Sequence, residues 1–512
     1  MAPGWAMKGG LLVAGTTSDA GKSLVTTGIC RWLARQGVSV APYKAQNMSN
    51  NSMVCADGGE IGRAQWLQAV AAGVEPEVAM NPVLLKPGSD RRSHVVLMGR
   101  SHGHLESGQY ATGRRELAAA AWAALADLRT RFDVVVAEGA GSPTEINLRA
   151  GDYVNMGLAR HARLPVIVVG DIDRGGVLAA MHGTLALLDA DDQAHLAGWV
   201  VNKFRGDVDV LRPGLATLEQ LTGRPVLGVI PWLDGVWVDS EDALAMAGWS
   251  SPARGAGATL RVAVVRLPRV SNATDVDALA LEPGVSVTVT TDPDVVAASD
   301  IAVLPGSRST LTDLGWLRRN GIADAVTARA RAGRPVLGIC GGYQMLAGSI
   351  VDDVETGLGR AAGLGLLPVE VGFDADKHLG RPDGSWQGHP VTAYEIHHGV
   401  ARTVADDPRT AVAQPFLDGV QLGAVWGTTW HGAFENDGFR RAWLAEAARA
   451  AGVGWLPAPH PKFRAVREQM IDTLADAVEE HLDTAALWRL VEQGVPAGLP
   501  VVPPAPARTP TT

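Results

Sequence analysis

A glycine-rich loop near the start of the chain, Gly15–Ser23, has the residue types needed to hold a nucleoside triphosphate. Glycines let backbone N–H groups turn towards phosphates, and a following helix adds positive potential at its N-terminus. Lys22 would contact the transferred phosphoryl group, and the Ser23 hydroxyl would ligate Mg²⁺. Thr16 and Gly21 complete the predicted ATP-binding loop. Its spacing, Gly-x₅-Gly-Lys-Ser, is one residue longer than the common P-loop.

Polar residues that could complete this site follow several predicted strands. Glu138 ends one strand, where open α/β sheets place their ligands, and Asp57 lies on a loop after the second strand. Either carboxylate could ligate the metal or could instead cap a helix or close a turn. Lys44 ends the second predicted strand. It could be a second phosphate contact, or it could be an ordinary surface lysine. Asn202 ends another strand, where its amide could read the edge of an adenine.

A cysteine on a glycine-flanked turn, Gly338–Gly342, matches the nucleophile-elbow pattern with Cys in place of Ser. The sharp turn would lift the Cys340 thiol clear of the sheet, and the Gly341 N–H could face a developing oxyanion. Gly306 follows another strand and could supply the second oxyanion donor. The alternative is a small buried hydrophobic residue, but glycines on both sides favour a nucleophile.

A cysteine nucleophile needs a general base, and the chain has 13 histidines. His431 follows a predicted strand and precedes a glycine, which favours an accessible position at a strand end. His397 and His398 are the alternatives. We interpret the other two cysteines, Cys30 and Cys55, as structural.

The composition bounds the class of protein. The chain has 512 residues, 46% of them hydrophobic and 19% charged, which predicts two soluble domains and a tail. A net charge of -9 argues against a nucleic-acid partner. No apolar run approaches the roughly 20 residues of a membrane helix, so we expect no membrane partner. Three cysteines do not form a disulfide framework, and we expect a cytoplasmic protein.

The first half of the chain alternates short apolar runs with helical stretches, which predicts an α/β fold with a parallel sheet covered on both faces. The predicted strands are Gly10–Ala14, Val38–Tyr43, Asp133–Ala137, Pro165–Gly170, Gly198–Asn202 and Pro225–Ile230. They scarcely alternate in polarity, as expected of strands buried on both sides. A helix is predicted over Arg114 to Phe132.

A second alternation predicts another α/β domain. Its parallel strands are predicted at Arg261–Val265, Val285–Thr290, Ile301–Leu304 and Pro335–Ile339, followed by antiparallel strands up to about Trp430 and a helix at Gln469 to His481. A loop that handles ATP and a cysteine that attacks an amide together predict an amide-forming ligase that takes its nitrogen from another amide. The predicted divisions are an ATP-binding ligase domain over 1–235, a linker over 236–259, a glutaminase domain over 260–484 and a Pro-rich disordered tail over 485–512.

Ten segments in register resemble the adenosylcobyric acid synthase family, the glutamine-dependent amide ligases of cobalamin biosynthesis. The resemblance covers about Lys8 to Asp483. Its most specific segments are Gly15–Ser23, Gln46–Met48, Asp57–Gln65, Met80–Pro87, Ala137–Pro143, Glu145–Arg149, Gly170–Gly176, Asn202–Asp207, Tyr394–His397 and His431–Asp437. The first domain would then be similar to dethiobiotin synthetase, and the second to class I glutamine amidotransferases.

The resemblance implies roles for the residues singled out above. The implied Mg²⁺ ligands are Ser23, Asp57 and Glu138, the phosphate contacts Lys22 and Lys44, the adenine contact Asn202, the nucleophile Cys340 and the base His431. In the wider amidotransferase class a glutamate two residues after the histidine orients it, but Ala433 stands there in this chain. The site would run as a Cys–His pair or use another orienting group, and Glu435 cannot be assigned that role. Ala45 stands where proline is expected, which affects no chemistry.

The implied reaction uses ATP and glutamine to amidate a corrinoid. The substrate would be adenosylcobyrinic acid a,c-diamide, amidated on its b, d, e and g side chains. Candidate corrinoid contacts are Asn81, Lys86, Glu145 and Asn147, each with loop capping as the alternative. A homo-oligomer is compatible with the sequence.

Two other functions compete with this one. Cobyrinic acid a,c-diamide synthase has the same two domains, but the segments Gln46–Met48 and Met80–Pro87 favour the cobyric acid branch. A P-loop switch ATPase with a non-catalytic second domain predicts a second lysine near the start of the loop, where the chain has Thr16, Thr17 and Ser18. That hypothesis also leaves Cys340 without a purpose.

Overall fold

The computed structural model describes residues 9–89, 92–106, 110–236, 250–251 and 259–503. Two parallel sheets, each covered by helices, form the two halves of the protein. In this part of the chain no helix combines the length and the apolar character that crossing a bilayer requires. The predicted linker at 236–259 lies outside the described residues except for 236, 250, 251 and 259.

The first half contains twelve described strands and seven described α-helices. The strands are β1 (Gly9–Gly15), β2 (Val40–Tyr43), β3 (Gln46–Met48), β4 (Ser52–Val54), β5 (Glu60–Gly62), β6 (Val83–Ser89), β7 (Arg92–Leu97), β8 (Arg100–Glu106), β9 (Val134–Glu138), β10 (Val166–Asp171), β11 (Leu196–Phe204) and β12 (Val226–Pro231). The helices are α1 (Lys22–Arg35), α2 (Arg63–Ala72), α3 (Tyr110–Arg131), α4 (Met156–Ala162), α5 (Val177–Leu187), α6 (Ala190–Gln193) and α7 (Val208–Thr222).

The six strands predicted from the sequence form one sheet in the order β12-β11-β10-β1-β9-β2, and every neighbouring pair is parallel. The central strands are buried along their whole length, as their unbroken Val, Ile and Leu content predicted. The helix expected at Arg114 to Phe132 is α3. Outside the sheet, β4 and β5 pair as an antiparallel hairpin, and β3, β6, β7 and β8 form a separate sheet.

The second half contains the remaining elements. Its strands are β13 (Ser250–Ser251), β14 (Leu260–Val265), β15 (Val270–Ser271), β16 (Val285–Thr290), β17 (Ile301–Leu304), β18 (Gly306–Ser307), β19 (Val336–Ile339), β20 (Ser349–Asp352), β21 (Gly359–Ala362), β22 (Val369–Gly380), β23 (Asp383–Trp386), β24 (His389–Thr392), β25 (Glu395–Thr403), β26 (Gln414–Phe416), β27 (Gly419–Leu422) and β28 (Val425–Thr428). Its helices are α8 (Asp277–Ala280), α9 (Pro293–Ala298), α10 (Thr310–Arg319), α11 (Ile322–Arg331), α12 (Gly341–Leu346), α13 (Asp437–Ala451), α14 (Phe463–His481) and α15 (Thr484–Gln493).

The second large sheet runs β13-β16-β14-β17-β19-β28-β27-β26. Its five central strands are parallel, and the edge strands β13, β27 and β26 pair antiparallel. The predicted antiparallel region includes the pair β22 and β25 and the hairpin β23–β24. The nucleophile-elbow sequence begins where β19 ends, at the carboxyl edge of this sheet.

The last two helices return to the first sheet, which corrects the prediction that 260–484 is one domain. Helix α14 packs along α1, where Arg31 bonds Asp472 at 2.8 Å and Arg35 bonds Asp476 at 2.6 Å. A Cβ at Gly28 would lie 2.6 Å from the backbone oxygen of Leu474, so a glycine permits this close approach. The first domain is therefore built from both ends of the chain.

The predicted disordered tail at 485–512 is also wrong for its first part. Helix α15 occupies 484–493 and packs on β1, with Leu487, Leu490 and Val491 buried among the same apolar side chains as Leu11. Val502 is buried as well, on the other face of the sheet. The Pro-rich composition after Gly494 predicted disorder. The apolar residues Leu487, Leu490, Val491 and Val502 are ordered because they pack on the first sheet. Residues 504–512 lie outside the described part.

Candidate active sites

The P-loop connects β1 to α1, as the sequence predicted. Gly21 adopts φ +98°, and a Cβ there would lie 2.0 Å from the Asn202 Nδ2 atom, so only glycine fits. The same Asn202 Nδ2 donates a hydrogen bond to the Ala20 backbone oxygen at 3.0 Å. The backbone N–H of Thr16 donates to Val169 O of the neighbouring strand β10 at 2.9 Å. These bonds fix both ends of the loop.

Lys22 points into the curve of the loop. Its Nζ donates to the backbone oxygens of Thr17 at 2.8 Å and Ser18 at 2.9 Å, and the side chain is buried. The ammonium therefore sits inside the ring of backbone groups where the phosphates of a nucleotide would bind.

Glu138 is the centre of a buried polar cluster behind the loop. Its Oε1 accepts from Ser23 Oγ at 2.9 Å and Lys44 Nζ at 2.7 Å, and its Oε2 accepts from Gln68 Nε2 at 2.6 Å. Burial alone would raise the pKa of Glu138, but the Lys44 ammonium, the bond from Gln68 and the charge of Lys22 hold that pKa below its usual range. The carboxylate is thus ionised beside the loop.

This cluster fits a magnesium site of the P-loop type. The Ser23 hydroxyl and the Glu138 carboxylate are hard oxygen donors within hydrogen-bond distance of each other. Mg²⁺ usually takes only one or two protein carboxylates and completes its shell with water and phosphate oxygens. The absence of any cluster of three or more His, Cys, Asp or Glu among the described residues is compatible with that pattern. Gln68, on α2, was not singled out from the sequence.

Asp57 has the turn role that the sequence left open. It lies in the β4–β5 connection, where its Oδ1 accepts from the Gly59 N–H at 3.0 Å and its Oδ2 from the Val78 N–H at 3.1 Å. The contacts described for its carboxylate are with these backbone groups, whereas Ser23 and Glu138 contact each other.

Asn202 also borders an apolar cleft of about 550 Å³ beside α1. Its wall includes Ile230, Pro231 and Trp232 at the end of β12, and Leu474 from the returning helix α14. The returning C-terminal helix therefore forms one side of this cleft. Its apolar walls and one amide match the requirements of a purine ring.

Cys340 follows β19 in a strained conformation, with φ +48° and ψ −109°. The neighbouring glycines are required sterically, since a Cβ at Gly342 would lie 1.9 Å from Leu304 O and one at Gly338 would lie 2.7 Å from Tyr343 N. A non-glycine residue with positive φ at a strand–helix junction is the geometry of a nucleophile elbow.

His431 hydrogen-bonds Cys340 and is itself held by a carboxylate from a distant loop. The Asp275 Oδ2 atom lies 2.6 Å from His431 Nδ1, and Asp275 Oδ1 accepts from the Gly432 N–H at 2.8 Å. Burial alone would lower the pKa of His431, but Asp275 and Cys340 outweigh it and raise that pKa to about 10. The geometry is that of a Cys–His–Asp triad with an imidazolium between two acidic groups.

The orienting residue Asp275 was missed in the sequence because it precedes His431 by 156 residues. The position expected for an orienter carries Ala433, and the nearby Glu435 has another role. Its carboxylate bonds Arg63 at 2.6 Å and Arg467 at 2.9 Å, which holds its pKa at about 2 against the opposing effect of burial. The sequence did offer one signal for Asp275, because it is an acidic residue that follows the first parallel strand of the second domain closely.

The candidate oxyanion donors Gly306 and Gly341 both lie beside the triad. A Cβ on Gly306 would lie 3.1 Å from His431 Cε1, and one on Gly341 would lie 2.7 Å from the Ser307 backbone nitrogen. A cavity of about 430 Å³ opens in front of Cys340 and His431. The rival histidines line it too, but His398 Nδ1 faces the backbone oxygen of Asp374 at 3.1 Å.

The chain matches two family models, one in each half. Residues 11–244 match the CobQ/CobB/MinD/ParA nucleotide binding domain, and residues 261–439 match the CobB/CobQ-like glutamine amidotransferase domain. A protein of Cutibacterium acnes named cobyric acid synthase is 62% identical over 487 residues, which cover 94% of this chain and 99% of that protein. The chain belongs to the cobyric acid synthase family. It is an amidating ligase with a glutamine amidotransferase domain.

Other members of the cobyric acid synthase family align over almost the whole chain. One from Mycolicibacterium vanbaalenii is 61% identical and covers 97% of this chain and 99% of its own length. One from Streptomyces avermitilis is 57% identical and covers 98% of this chain and 100% of its own length. The predicted α/β fold and family resemblance are therefore confirmed, and the switch-ATPase alternative is excluded.

The four candidate corrinoid contacts do not lie together. Asn81 is buried and joins two other segments of the first domain by hydrogen bonds. Its Oδ1 accepts from the Gly62 N–H, and its Nδ2 donates to Lys44 O. Lys86 is also buried; it pairs with Glu60 and lines the cavity of Cys340 instead of the cleft beside the P-loop. The family resemblance alone gave no sign of this placement.

Glu145 and Asn147 lie nearer to the ligase chemistry. They flank the segment after β9, and Glu145 lines a cavity of about 520 Å³ together with Ala140 and Arg149. Asn147 is exposed on the short helical turn that follows. Because β9 ends at Glu138, this cavity opens at the carboxyl edge of the first sheet, two residues beyond the metal candidate.

Proposed function

We propose that the enzyme amidates the b, d, e and g propionate side chains of adenosylcobyrinic acid a,c-diamide to give adenosylcobyric acid. ATP would activate each carboxylate, and glutamine would supply each nitrogen. The observation that carries this proposal is the presence, in one chain of the cobyric acid synthase family, of a P-loop beside Glu138 and a Cys–His–Asp triad. The reaction would take place in the cytoplasm, where ATP and glutamine are available.

Glutamine would be cleaved at Cys340. The thiolate attacks the side-chain amide, a tetrahedral oxyanion forms, and the N–H groups of Gly341 and Gly306 stabilise it. His431 donates its proton to the leaving ammonia and then takes one from water, so that the thioester is hydrolysed to glutamate. Asp275 keeps the imidazole in the tautomer and orientation that both steps need.

Two charged residues in the same cavity suit the amino-acid part of glutamine. Arg308 and Glu355 form a half-buried ion pair on its wall. Burial raises the pKa of Glu355 to about 7, although the Arg308 charge opposes that rise. The α-carboxylate of glutamine could bind Arg308, and its α-ammonium could bind Glu355. The ion pair between Arg308 and Glu355 would then be replaced by these two contacts with the substrate.

In the other domain, a propionate oxygen would attack the γ-phosphorus of ATP and release ADP. Lys22 and Lys44 would contact the phosphates, while Ser23 and Glu138 would hold Mg²⁺, which lowers the negative charge on those phosphates when bound. Ammonia then displaces phosphate from the acyl phosphate to form the amide. A carboxylate is a poor acyl donor, so this activation supplies the driving force.

The shape and chemistry of two cavities in the ligase domain support proposed positions for the adenine and the corrinoid. The adenine would lie in the apolar cleft beside Asn202, whose Oδ1 would accept from the exocyclic amine. The corrinoid would approach the cavity lined by Glu145 and Arg149. Asp57 stays a metal-ligand prediction from the family resemblance, and it would have to exchange its two backbone partners for the metal.

The test compares wild type with Cys340→Ala in ATP hydrolysis coupled to amidation of adenosylcobyrinic acid a,c-diamide. We expect the variant to lose turnover with glutamine and to keep turnover with ammonium. Loss of both would contradict the separation of the two sites. If wild type amidates cobyrinic acid and ignores the a,c-diamide, the enzyme is a cobyrinic acid a,c-diamide synthase and the substrate proposal fails.

A further inference from the structure

Two asparagines clamp the ligase domain to the glutaminase domain by a reciprocal pair of hydrogen bonds. The backbone N–H of Ser52 donates to Asn272 Oδ1 at 3.0 Å, and the backbone N–H of Ala273 donates to Asn51 Oδ1 at 3.1 Å. Both asparagines are buried. Each side chain thus satisfies a backbone donor of the other domain, which is an expensive group to leave without a partner.

The clamped segment of the glutaminase domain carries Asp275. Asn272 has φ +49°, a left-handed conformation that asparagine tolerates, and a single helical turn over Ala273–Val276 follows it. Asp275 lies within this turn and holds both His431 Nδ1 and the Gly432 N–H. The position of the imidazole therefore depends on a turn whose first residues are bound by the ligase domain.

The same ligase hairpin, formed by β4 and β5, supports His431 from a second side. Tyr394 packs against Met53 and Val54 of the hairpin. Its backbone N–H donates to His431 O at 3.0 Å and its carbonyl accepts from the His431 N–H at 2.8 Å. The rings of Tyr394 and His431 are stacked, with centroids 5.4 Å apart.

Buried charges hold the hairpin in this place. Glu60, on β5, accepts from Lys377 of the glutaminase domain at 2.6 Å and pairs with Lys86 of its own domain. Lys86 Nζ also donates to Ser52 Oγ at 2.8 Å and lines the cavity of Cys340. The ligase domain thus forms part of the wall of the glutaminase site.

We propose that the hairpin 51–62 of the ligase domain is a positioning element of the glutaminase triad, acting through the Asn51–Asn272 clamp on Asp275 and through Tyr394 on His431. Glutamine is then hydrolysed efficiently only while the two domains are docked in this arrangement. The inference rests on the proposed glutaminase chemistry of Cys340 and adds a role for residues of the other domain.

The test uses the full chain with Asn272→Gly, which keeps the left-handed backbone but removes the acceptor, and Asn51→Ala, which removes the opposite acceptor. We expect kcat with glutamine to fall about tenfold in each, because the orientation of His431 is lost. KM for glutamine should stay within about twofold of wild type in Asn51→Ala, the variant that decides this point, because Asn272 itself lines the cavity of Cys340 and Asn51 does not. Amidation with ammonium should persist. Asn272→Asp, which keeps an acceptor oxygen, should restore most of kcat.

A second readout does not depend on the corrinoid. The rate of alkylation of the Cys340 thiol by iodoacetamide at neutral pH reports how well the contact with His431 activates the thiol. We expect this rate to fall about threefold or more in Asn272→Gly and Asn51→Ala, since a less firmly held imidazolium activates the thiol less. Cys30 and Cys55 are buried, and burial raises the pKa of both, so they should react slowly.

The control is Arg381→Ala, which removes another contact between the domains, the exposed pair Arg381–Glu75. It should leave kcat and the alkylation rate unchanged. The proposal is overturned if both acceptor-deleted variants keep the wild-type kcat and the wild-type alkylation rate. It is also overturned if they raise KM alone, or if they lose glutamine and ammonium turnover equally. Failure of wild type on the corrinoid would affect only the proposed substrate, because the alkylation rate is measured without it.

Discussion

The Asp275 carboxylate and the His431 imidazole form a 2.6 Å contact between residues 156 positions apart in the chain. The contact supplies the orienting group that Ala433 cannot provide. We expect Asp275→Asn to lower kcat with glutamine by about 10²- to 10⁴-fold, because an amide does not stabilise the imidazolium. Ammonium-dependent amidation should persist. Asp294→Asn, on the exposed surface of α9, is the control and should match wild type in both assays.

The raised pKa of His431 predicts a pH-dependent stability. Because the folded value is about 10 and the ordinary value 6.5, the imidazolium contributes stability that is complete below pH 6.5 and is lost as the pH rises through about 10. Urea unfolding of wild type and Asp275→Asn at pH 6 and at pH 10.5 measures this. The difference in unfolding free energy between the two proteins should shrink at the higher pH; a constant difference would contradict the assignment.

Gly21→Ala should abolish the ligase reaction. The added Cβ would collide with Asn202 in a backbone conformation that alanine rarely adopts, so the loop must open. We expect amidation with either nitrogen source to fall at least about 10²-fold. Alkylation of Cys340 should stay normal. Gly183→Ala, on α5 where a Cβ meets nothing within 4 Å, should retain full activity.

Glu138→Gln tests the metal assignment with little change of shape. The variant removes the ionised oxygen beside Ser23 and leaves Lys44 without its buried counter-charge. We expect a higher Mg²⁺ concentration for half-maximal activity and ammonium-dependent turnover lowered about 10²-fold or more. Glu116→Gln, exposed on α3, is the matched control. An unchanged Mg²⁺ requirement in Glu138→Gln would exclude this carboxylate from the metal site.

The sequence predicted what depends on local pattern. Unbroken apolar runs indicated the six strands of the first sheet, and glycines at fixed spacing indicated the loop before Lys22 and the turn at Cys340. It could not predict contacts between distant segments. Lys86 reaches the glutaminase cavity only through the packing of the two domains, whereas Asp275 reaches His431 through packing within the second domain, across 156 residues of sequence. No local pattern specifies either contact.

The C-terminal helices show a different limit. The spacing of apolar residues predicted a helix over most of α14. The sequence of an amphipathic helix, however, does not indicate which sheet the helix covers. Leu487 and Val491 of α15 were overlooked because the following residues are rich in proline. Their partners are Leu11 and Val13, at the opposite end of the chain.

The return of α14 to α1 makes the order of synthesis matter. When β12 has left the ribosome, the part of the first sheet that α14 and α15 cover is still exposed, and roughly 240 more residues must be translated before Leu474 can pack beside Gly28. At about 5–20 residues per second this takes on the order of 10–50 seconds. The glutaminase domain can fold within that interval, while the nascent nucleotide-binding half still exposes apolar surface that chaperones recognise. In this protein the first domain to begin is therefore the last to be completed.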